Sequence, residues 1–314
     1  MPHAIVYTEF GAPEVLTLVE IEAPPPGPGE VAVAVEAVGV NPIDGKLRSR
    51  VRPSPDITAP RRIGTDAAGV VTALGEGVEG LRVGDLVAVF GAPGAYATDL
   101  VVPASHAHRL PPLVTAAEGA AIGVPVGTGY QALRSLDVGT GDTLLVHGGS
   151  GAVGQAIIQF ATLWGAKAIA TSSARRAGRV RALGATPVAY GPGLADRVRA
   201  LALHGVTVAI DAAGTDEALD VSALLVTDRA RVATLVRGAD ASARGIRAFG
   251  GGSPEPLTPQ QLAWRAEAMP VVLALLAAGR FSIEIGPTLR LAEAAEAHRL
   301  LEQGGVDGKI VLVP

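Results

Sequence analysis

The stretch Thr143-Leu144-Leu145-Val146-His147-Gly148-Gly149-Ser150-Gly151-Ala152-Val153-Gly154 decides how this chain is read. It reads as a buried strand, a glycine-rich turn and the start of a helix. Gly149, Gly151 and Gly154 fit G-x-G-x-x-G. The first glycine makes the tight turn, the second lets backbone approach a pyrophosphate, and the third lets helix pack closely on strand. The helix N-terminus then offers unpaired N–H groups and a partial positive charge to phosphate. In a chain with 40 glycines the pattern alone is weak, but its surroundings strengthen it. Val153, Ile157, Ile158 and Ala161 follow at helical spacing, and a second strand-like run, Lys167 to Thr171, comes after Gly165-Ala166. That is a βαβ unit of the expected length. The prediction is a dinucleotide site in which Gly149, Ser150, Gly151, Ala152, Val153 and Gly154 meet the phosphates.

One rival reading is a nucleophile elbow. Gly148-Gly149-Ser150-Gly151-Ala152 is one residue away from G-x-S-x-G, which also joins strand to helix and would make Ser150 the nucleophile of an α/β hydrolase. Such an enzyme needs a late His. His298 is the only one, and it lies inside a helical pattern. The residues after the second strand favour the nucleotide and select its type. NAD sites carry Asp or Glu about 20 residues past the glycines, for the ribose 2′-OH. Here the place holds Thr171-Ser172-Ser173-Ala174-Arg175-Arg176, with no carboxylate. Arg suits a phosphate by charge and by its fork of donors. NADP(H) is therefore expected, its 2′-phosphate held by Ser172 or Ser173 and by Arg175 or Arg176. The competing view makes both arginines solvated residues opening a surface helix.

Length and composition bound the rest. The 314 residues allow two domains of ordinary size, and 48% apolar content supports a large core. Net charge is −4, with no basic block longer than Arg61-Arg62 or Arg175-Arg176, so nucleic acid is not an implied partner. The N-terminus, Met-Pro-His-Ala-Ile-Val, reads as a strand without a signal-peptide pattern. Met269 to Ala278, the longest strongly apolar run, is too short to span a bilayer. There is no cysteine, which excludes disulfides, thiolate zinc sites and Cys nucleophiles. A cytoplasmic protein with no membrane partner is expected.

Taken in order, residues 4–9 and 15–21 read as short strands, 23–30 as a Pro/Gly loop, and 31–40 (VAVAVEAVGV) as a strand broken by Asn41-Pro42-Ile43-Asp44. Residues 51–62 form a proline-rich irregular loop; strands follow near 63–71, 83–89 and 96–102. This β-rich part, with a turn every ten or so residues, suits a partly open barrel. Residues 116–136 read as helix in two pieces joined at 123–129. The alternation then becomes strand–helix–strand, with strands at 143–147, 167–171, 187–190, 206–210, 230–236 and 245–249 and helices at 174–183 and 193–203. Six parallel strands in a doubly wound α/β sheet fit this count. A helix at 259–278, a strand at 281–285, a helix at 291–303 and a strand at 309–313 return to the first style. The expected domains are 1–122, an inserted nucleotide domain at 123–255, and 256–314 returning to the β domain.

The chain resembles the zinc-free branch of the medium-chain dehydrogenase/reductases, the NADPH quinone oxidoreductase-like proteins, over nearly its whole length. The landmarks are Asn41-Pro42-Ile43-Asp44, Gly64-Thr65-Asp66-Ala67-Ala68-Gly69-Val70-Val71, Val83-Gly84-Asp85-Leu86-Val87, the glycine turn, Leu183-Gly184-Ala185 and Gly308-Lys309-Ile310-Val311. The resemblance implies a Rossmann sheet inserted in a GroES-like, mostly β domain. Zinc-binding relatives carry Gly-His-Glu where this chain has Gly64-Thr65-Asp66, along with Cys ligands absent here; His106 and His108 read as surface residues. No metal is expected. The resemblance also implies that Thr128 holds the nicotinamide amide and that Tyr190 lies along the adenine-ribose phosphate beside Arg176. By the same likeness Phe249 and Gly250 contact the nicotinamide half, Lys309 lies near the cofactor, and Asn41 lies near the ring. Some enoyl-reducing relatives place a catalytic Tyr in the loop after Asn-Pro-x-Asp; this chain has Arg52 there and no Tyr between Tyr7 and Tyr96.

The implied chemistry is hydride transfer from NADPH to a quinone or to the C=C of an α,β-unsaturated carbonyl. Asn41 and Lys46 are the candidate donors to the developing oxyanion, with Asp44 orienting one of them or serving as a cap. Lys46 has the alternative of a surface charge. Family likeness also implies a homodimer joined through sheet edges near 230–249, where Arg231, Arg237, Arg244 and Arg247 lie; the alternative is that these charges protect the edge of a monomer. A non-catalytic NADPH-binding protein is the second class of function, since fold does not fix activity.

Overall fold

The computed structural model describes residues 1–250, 253 and 255–314. The chain divides into two compact units, Met1–Val124 with Met269–Pro314, and Pro125–Ala268.

The first unit is mainly β. Its strands are β1 (His3–Tyr7), β2 (Thr17–Glu20), β3 (Glu30–Gly39), β4 (Arg61–Arg62), β5 (Asp66–Leu74), β6 (Leu86–Phe90), β7 (Asp99–Pro103) and β8 (Ala107–Arg109), with helix α1 (Pro42–Arg48) between β3 and β4. Helix α2 (Ala116–Ser135) leads out. Chain return is through the end of a long helix, then β15 (Ile285–Arg290), α9 (Ala294–Gln303) and β16 (Lys309–Val313). One sheet has the order β15-β16-β3-β5-β6-β8, with β7 also on β3; a smaller one is β2-β1-β4. Val31, Val33 and Val35 alternate inward along β3, the period-2 pattern read from its sequence. With Val71, Val89 and Leu312 they enter one core.

The second unit holds β9 (Thr143–His147), α3 (Ala152–Leu163), β10 (Lys167–Ser172), α4 (Ala177–Ala182), β11 (Thr186–Ala189), α5 (Leu194–Leu201), β12 (Val208–Asp211), α6 (Asp216–Leu225), β13 (Val232–Thr234), α7 (Gly238–Ala241) and β14 (Arg247–Ala248). Helix α8 (Pro259–Ala277) follows. The sheet order is β11-β10-β9-β12-β13-β14, every pairing parallel. This is the 3-2-1-4-5-6 order of a doubly wound dinucleotide-binding sheet. Every residue of β12 and all but the first of β9 are buried, as expected for central strands covered on both faces. Both tryptophans, Trp164 and Trp264, belong to this unit and line one cleft with Arg134 and Asp137. Among the described residues no helix is long and apolar enough to cross a membrane.

Three local expectations are corrected. Residues 42–48 form a helix, which their Pro-Ile-Asp-Gly composition hid; Pro42 sits at the helix start, where its missing N–H costs nothing. Residues 116–135 form one helix, not two pieces. Pro125 lies inside it, and the N–H of Val124 donates to the Asp66 carboxylate at 2.9 Å. The strand expected at 281–285 begins at Ile285 and runs to Arg290. Gly286-Pro287 reads as a break, but β15 is an edge strand with a register shift between Ile285 and Thr288, where proline is tolerated.

The four arginines near the β13–β14 edge are engaged within the chain. Arg231 donates a fork to Asp142 (2.9 and 3.0 Å) and further bonds to the Leu136 and Asp137 carbonyls. Arg247 donates to the Ser135 carbonyl. Arg237 pairs with Asp240 and Asp216, and Arg244 with Asp220. Burial alone would raise the Asp142 pKa, but bonds from Arg231, Gly139 and Thr207 hold it below the usual carboxylate range. Arg231→Met is expected to destabilise the protein by about 1.5–3 kcal/mol, since it leaves Asp142 without its fork. Chemical denaturation followed by circular dichroism at neutral pH checks this; an unchanged midpoint would contradict it.

Candidate active site

In the second unit β9 ends at His147, and the chain turns through Gly148, whose φ of +75° is left-handed. The turn is bonded to the end of β10: Gly148 N–H donates to Thr171 Oγ1 at 3.0 Å and Gly149 N–H to the Thr171 carbonyl at 2.9 Å. Gly151 N–H donates to the Gly148 carbonyl, and the first helical bond runs from Gln155 N–H to the Gly151 carbonyl. The amides ahead of that bond, those of Ala152, Val153 and Gly154, are the donors a helix leaves for an anion.

The three glycines of the motif differ in what a side chain would meet. A Cβ on Gly149 would lie 2.6 Å from Ala170 Cβ, and one on Gly154 would lie 2.2 Å from the Gly148 carbonyl oxygen. These two glycines are required by packing. A Cβ on Gly151 would meet nothing closer than 3.5 Å, and Gly151 is exposed. Its lack of a side chain leaves open space above the helix start, the cradle a diphosphate needs. The residues fit a dinucleotide.

Ser172 is buried at the end of β10, with Ser173 half-buried after it. Arg175 is exposed and Arg176 half-buried. Arg176 reaches back toward the Ser150 carbonyl at 3.4 Å, so it stands at the glycine turn. Arg179, not foreseen from the sequence, donates from Nε to Gln155 Oε1 at 2.8 Å and adds a third guanidinium on that side. Tyr190 is 61% exposed just past β11. Thr128 is buried within α2, Phe249 is buried under the Arg247 guanidinium, and Gly250 has φ +59°. The Ser150 carbonyl accepts from Gln155, and among the described residues no histidine or acid hydrogen-bonds the Ser150 hydroxyl. His298, the one late histidine, is bonded to Tyr96 in the other unit.

In the first unit, Asn41 sits between β3 and α1 and is the hub of a buried polar cluster. Its Nδ2 donates to Asp66 Oδ2 (2.9 Å) and to the Gly39 carbonyl (3.2 Å). Its backbone N–H donates to Asp44 Oδ2 at 2.9 Å. Lys309 Nζ donates to Asn41 Oδ1. Asn41, Asp44, Asp66 and Lys309 are all at most 5% exposed. Lys309, from the first residue of β16, therefore supplies the ammonium beside Asn41. Lys46 lies two residues past Asp44 on α1, half-buried, and lines a cleft of about 520 Å³ with Arg48, His298 and Glu302. Of the expected catalytic trio the structure joins Asn41 and Asp44; no hydrogen bond ties the Lys46 side chain to either among the described residues.

Burial pushes Asp44 up to about 7, the nearby Asp66 adding to it, while the Asn41 N–H and Lys309 oppose. Burial likewise raises Asp66 and lowers Lys309, to about 8, against the pull of both carboxylates. Two acids thus share one ammonium, both are raised by burial, and Asp44 exchanges its proton near neutral pH.

Comparison with known proteins agrees with this fold. An alcohol dehydrogenase GroES-like domain matches residues 27–112 and a zinc-binding dehydrogenase domain matches residues 183–312. A quinone oxidoreductase of Salmonella typhimurium is 31% identical, with all of both chains covered. The chain belongs to the quinone oxidoreductase-like medium-chain dehydrogenase/reductases. The human quinone oxidoreductase is 37% identical over 172 residues, and that match spans about half of either chain, 54% of this one and 52% of the human protein. A mycobacterial structure complexed with NADPH superimposes with a TM-score of 0.84 at 32% identity, covering 100% of both chains. Although one matching domain is described as zinc-binding, this member has no cysteine. Among its described residues no group of three or more His, Asp or Glu is placed to hold a metal.

The Asp44 shift has a stability consequence. An acid whose folded pKa is raised binds its proton more tightly when folded. Its contribution is complete below the unfolded pKa of about 3.9 and is lost as pH rises through about 7. Asp44→Asn removes that dependence. The variant is expected to gain stability relative to the parent on going from about pH 5 to about pH 8. Denaturation at the two pH values, followed by circular dichroism, checks the sign; a parallel pH response in both proteins would refute it.

Proposed function

We propose that this protein is an NADPH-dependent reductase that needs no zinc and delivers hydride to a quinone or to the C=C of an α,β-unsaturated carbonyl. The observation that carries the reading is the presence of two features in one family member: the glycine turn backed by Ser172, Ser173, Arg175 and Arg176, and a buried Lys309 ammonium held by Asn41. The diphosphate would lie on the amides of Ala152, Val153 and Gly154, with Gly149, Ser150 and Gly151 around it. Ser172, Ser173, Arg175 and Arg176 would hold the 2′-phosphate by charge and by bidentate donors, and Tyr190 would lie beside them. Thr128, Phe249 and Gly250 would serve the nicotinamide half. Bound there, NADPH supplies a hydride from its nicotinamide.

The chain's own residues supply orientation and electrostatics. Asn41 is fixed by Asp66 and by the Gly39 carbonyl, and Lys309 bonds its amide oxygen. Both Asn41 Nδ2 hydrogens are spent within the chain, so Asn41 positions the Lys309 ammonium, a fixed, water-poor donor of the kind that stabilises charge developing on a substrate oxygen. Asp44 holds the backbone of Asn41 and carries the exchangeable proton of the group. Lys46 is placed with the cleft on α1, so we assign the ammonium role to Lys309. The full-length Salmonella relative and the NADPH-bound mycobacterial structure support the cofactor and the acceptor class.

Oxidation of NADPH and NADH with a benzoquinone, a naphthoquinone, an enal and an enone tests the reading. Preference for NADPH with turnover of one acceptor class is expected; binding of NADPH without turnover of any acceptor would refute it. Replacing both Arg175 and Arg176 by Ala should raise KM for NADPH about 10- to 100-fold, through loss of bonds to charge worth about 1.5–3 kcal/mol in all at this partly exposed site, and leave KM for NADH nearly unchanged. Lys309→Met should lower kcat about 100-fold, as removal of one oxyanion donor does, and Asn41→Ala, which releases the ammonium that Asn41 positions, should lower it in the same direction, while Lys46→Met has the smaller effect. The reverse ranking of Lys309 and Lys46 would restore Lys46 as the donor.

A further inference from the structure

The buried Asn41 cluster has a hydrogen-bonded route to the cleft on α1. Tyr96 O–H donates to Asp44 Oδ2 at 3.0 Å, and the same phenol oxygen lies 3.2 Å from His298 Nε2. Both side chains are buried, Tyr96 fully and His298 at 1% exposure. His298 Nδ1 lies on the Gly45 side: a Cβ added to Gly45 would be 3.8 Å from it and 3.1 Å from Glu302 Oε1. Gly45, His298, Glu302, Arg48 and Lys46 line the open cleft. Among the described residues the other side-chain contact leading away from the cluster, Thr65 Oγ1 to Asp66 Oδ1, is 3.5 Å, beyond ordinary O–H···O range.

We propose that Tyr96 and His298 form a proton wire between the cleft and Asp44, and that the proton consumed when the acceptor is reduced enters the chain at His298. The proposal rests on the reductase reading. Reduction of a quinone by one hydride needs one further proton: NADPH, quinone and H⁺ give NADP⁺ and hydroquinone. The hydride brings both electrons to the quinone, and the oxygen left anionic takes the proton. That proton comes from Asp44, whose Oδ1 is buried without a hydrogen-bond partner. Reprotonation runs inward. The Tyr96 hydroxyl proton moves to Asp44 Oδ2, the His298 Nε2 proton moves to the phenol oxygen, and His298 Nδ1 takes a proton from water in the cleft. No group on the path ends with a changed charge; the Asp44 proton now sits on Oδ2 and His298 is in its other tautomer, and rotation of the Asp44 carboxyl with proton exchange between His298 and cleft water resets the chain.

The groups facing this path suit that role. From α1 come Arg48 and Lys46, from β5 Asp66, from β16 Lys309, and from α9 Glu302. Burial, aided by the Arg48 charge, lowers His298 to about 4, so it relays as neutral imidazole rather than storing charge. Burial and the adjacent Asp44 raise Tyr96 well above the ordinary phenol range, so no free phenolate forms. Arg48 is fixed by the Gly11 carbonyl and by Glu302, which holds the mouth of the path in place.

Tyr96→Phe removes the one hydroxyl of the wire and keeps the ring that packs over Gly64. With a quinone acceptor, kcat should fall roughly tenfold or more above neutral pH, with little change in KM. The solvent isotope effect on kcat should grow in the variant, and the isotope effect of deuterated NADPH should shrink, because proton supply becomes limiting. His298→Ala should show the same pattern and recover with added imidazole. Unchanged kcat, pH profile and isotope effects in Tyr96→Phe would overturn the wire, as would a loss in His298→Ala that imidazole does not restore. Infrared titration of the cofactor-free protein between about pH 5 and about pH 9 judges the wire even if no acceptor is turned over. A carboxylic-acid C=O band that is absent in Asp44→Asn and shifted in Tyr96→Phe supports it. Absence of that band, or its indifference to Tyr96→Phe, overturns it. Failure of NADPH oxidation with the band present and Tyr96-sensitive would instead count against the reductase reading alone.

Discussion

Two carboxylates and one ammonium are buried around a single asparagine, and the organisation of the first unit follows from the need to satisfy them. An isolated buried charge costs several kcal/mol or more, so each must find partners or give up its charge. Asp66 finds Asn41 and the amide of Val124, Lys309 finds Asn41, and Asp44 is left with neutral donors. That imbalance brings Asp44 into exchange near neutral pH. It also binds four distant segments into one network: the end of β3, the start of β5, the middle of α2 and the start of β16. Pro125, inside the unbroken α2, follows the Val124 amide that Asp66 takes up, so one carboxylate serves both the helix and the cluster.

The nucleotide half was legible because its physics is local. Glycine in a turn between a strand and a helix has few other uses, and parallel central strands announce themselves as unbroken apolar runs. The absence of a carboxylate after β10 is likewise read from a short window. What local reading missed is the allocation of donors within the turn. The amides of Gly148 and Gly149 are consumed by Thr171, twenty-odd residues away in sequence, and that of Gly151 by the Gly148 carbonyl, so the amides left at the helix start are those of Ala152, Val153 and Gly154.

The Asn41 cluster was legible in its parts and not in its assembly. Asn41 and Asp44 are three residues apart, and their pairing through the helix start follows from spacing. Lys46 seemed the natural cation because it is near in sequence, whereas the cation beside Asn41 is 268 residues away. Only the pairing of β16 with β3, which sets Val311 opposite Gly39, brings Lys309 there. Tyr96, His298 and Arg48 carried no signal for the same reason: a buried polar side chain is recognisable by its surroundings, and these come from three separate elements. The misplaced β15 has a different cause, since Gly286-Pro287 has the composition of a turn and becomes a strand only because its edge position leaves proline's missing donor unneeded.

The placement of the two tryptophans sets what an optical probe can see. Trp164 and Trp264 share one corner of the second unit, with Tyr130 packed edge-on to Trp164 and Arg134 over the Trp264 ring. Indole emission therefore reports on the dinucleotide-binding sheet and its helices alone. The β-rich unit that holds Asn41 and Lys309 has no tryptophan and is silent at those wavelengths. An unfolding curve recorded by fluorescence would describe half of the molecule, and a difference between it and one recorded by backbone dichroism would measure whether the two units melt together.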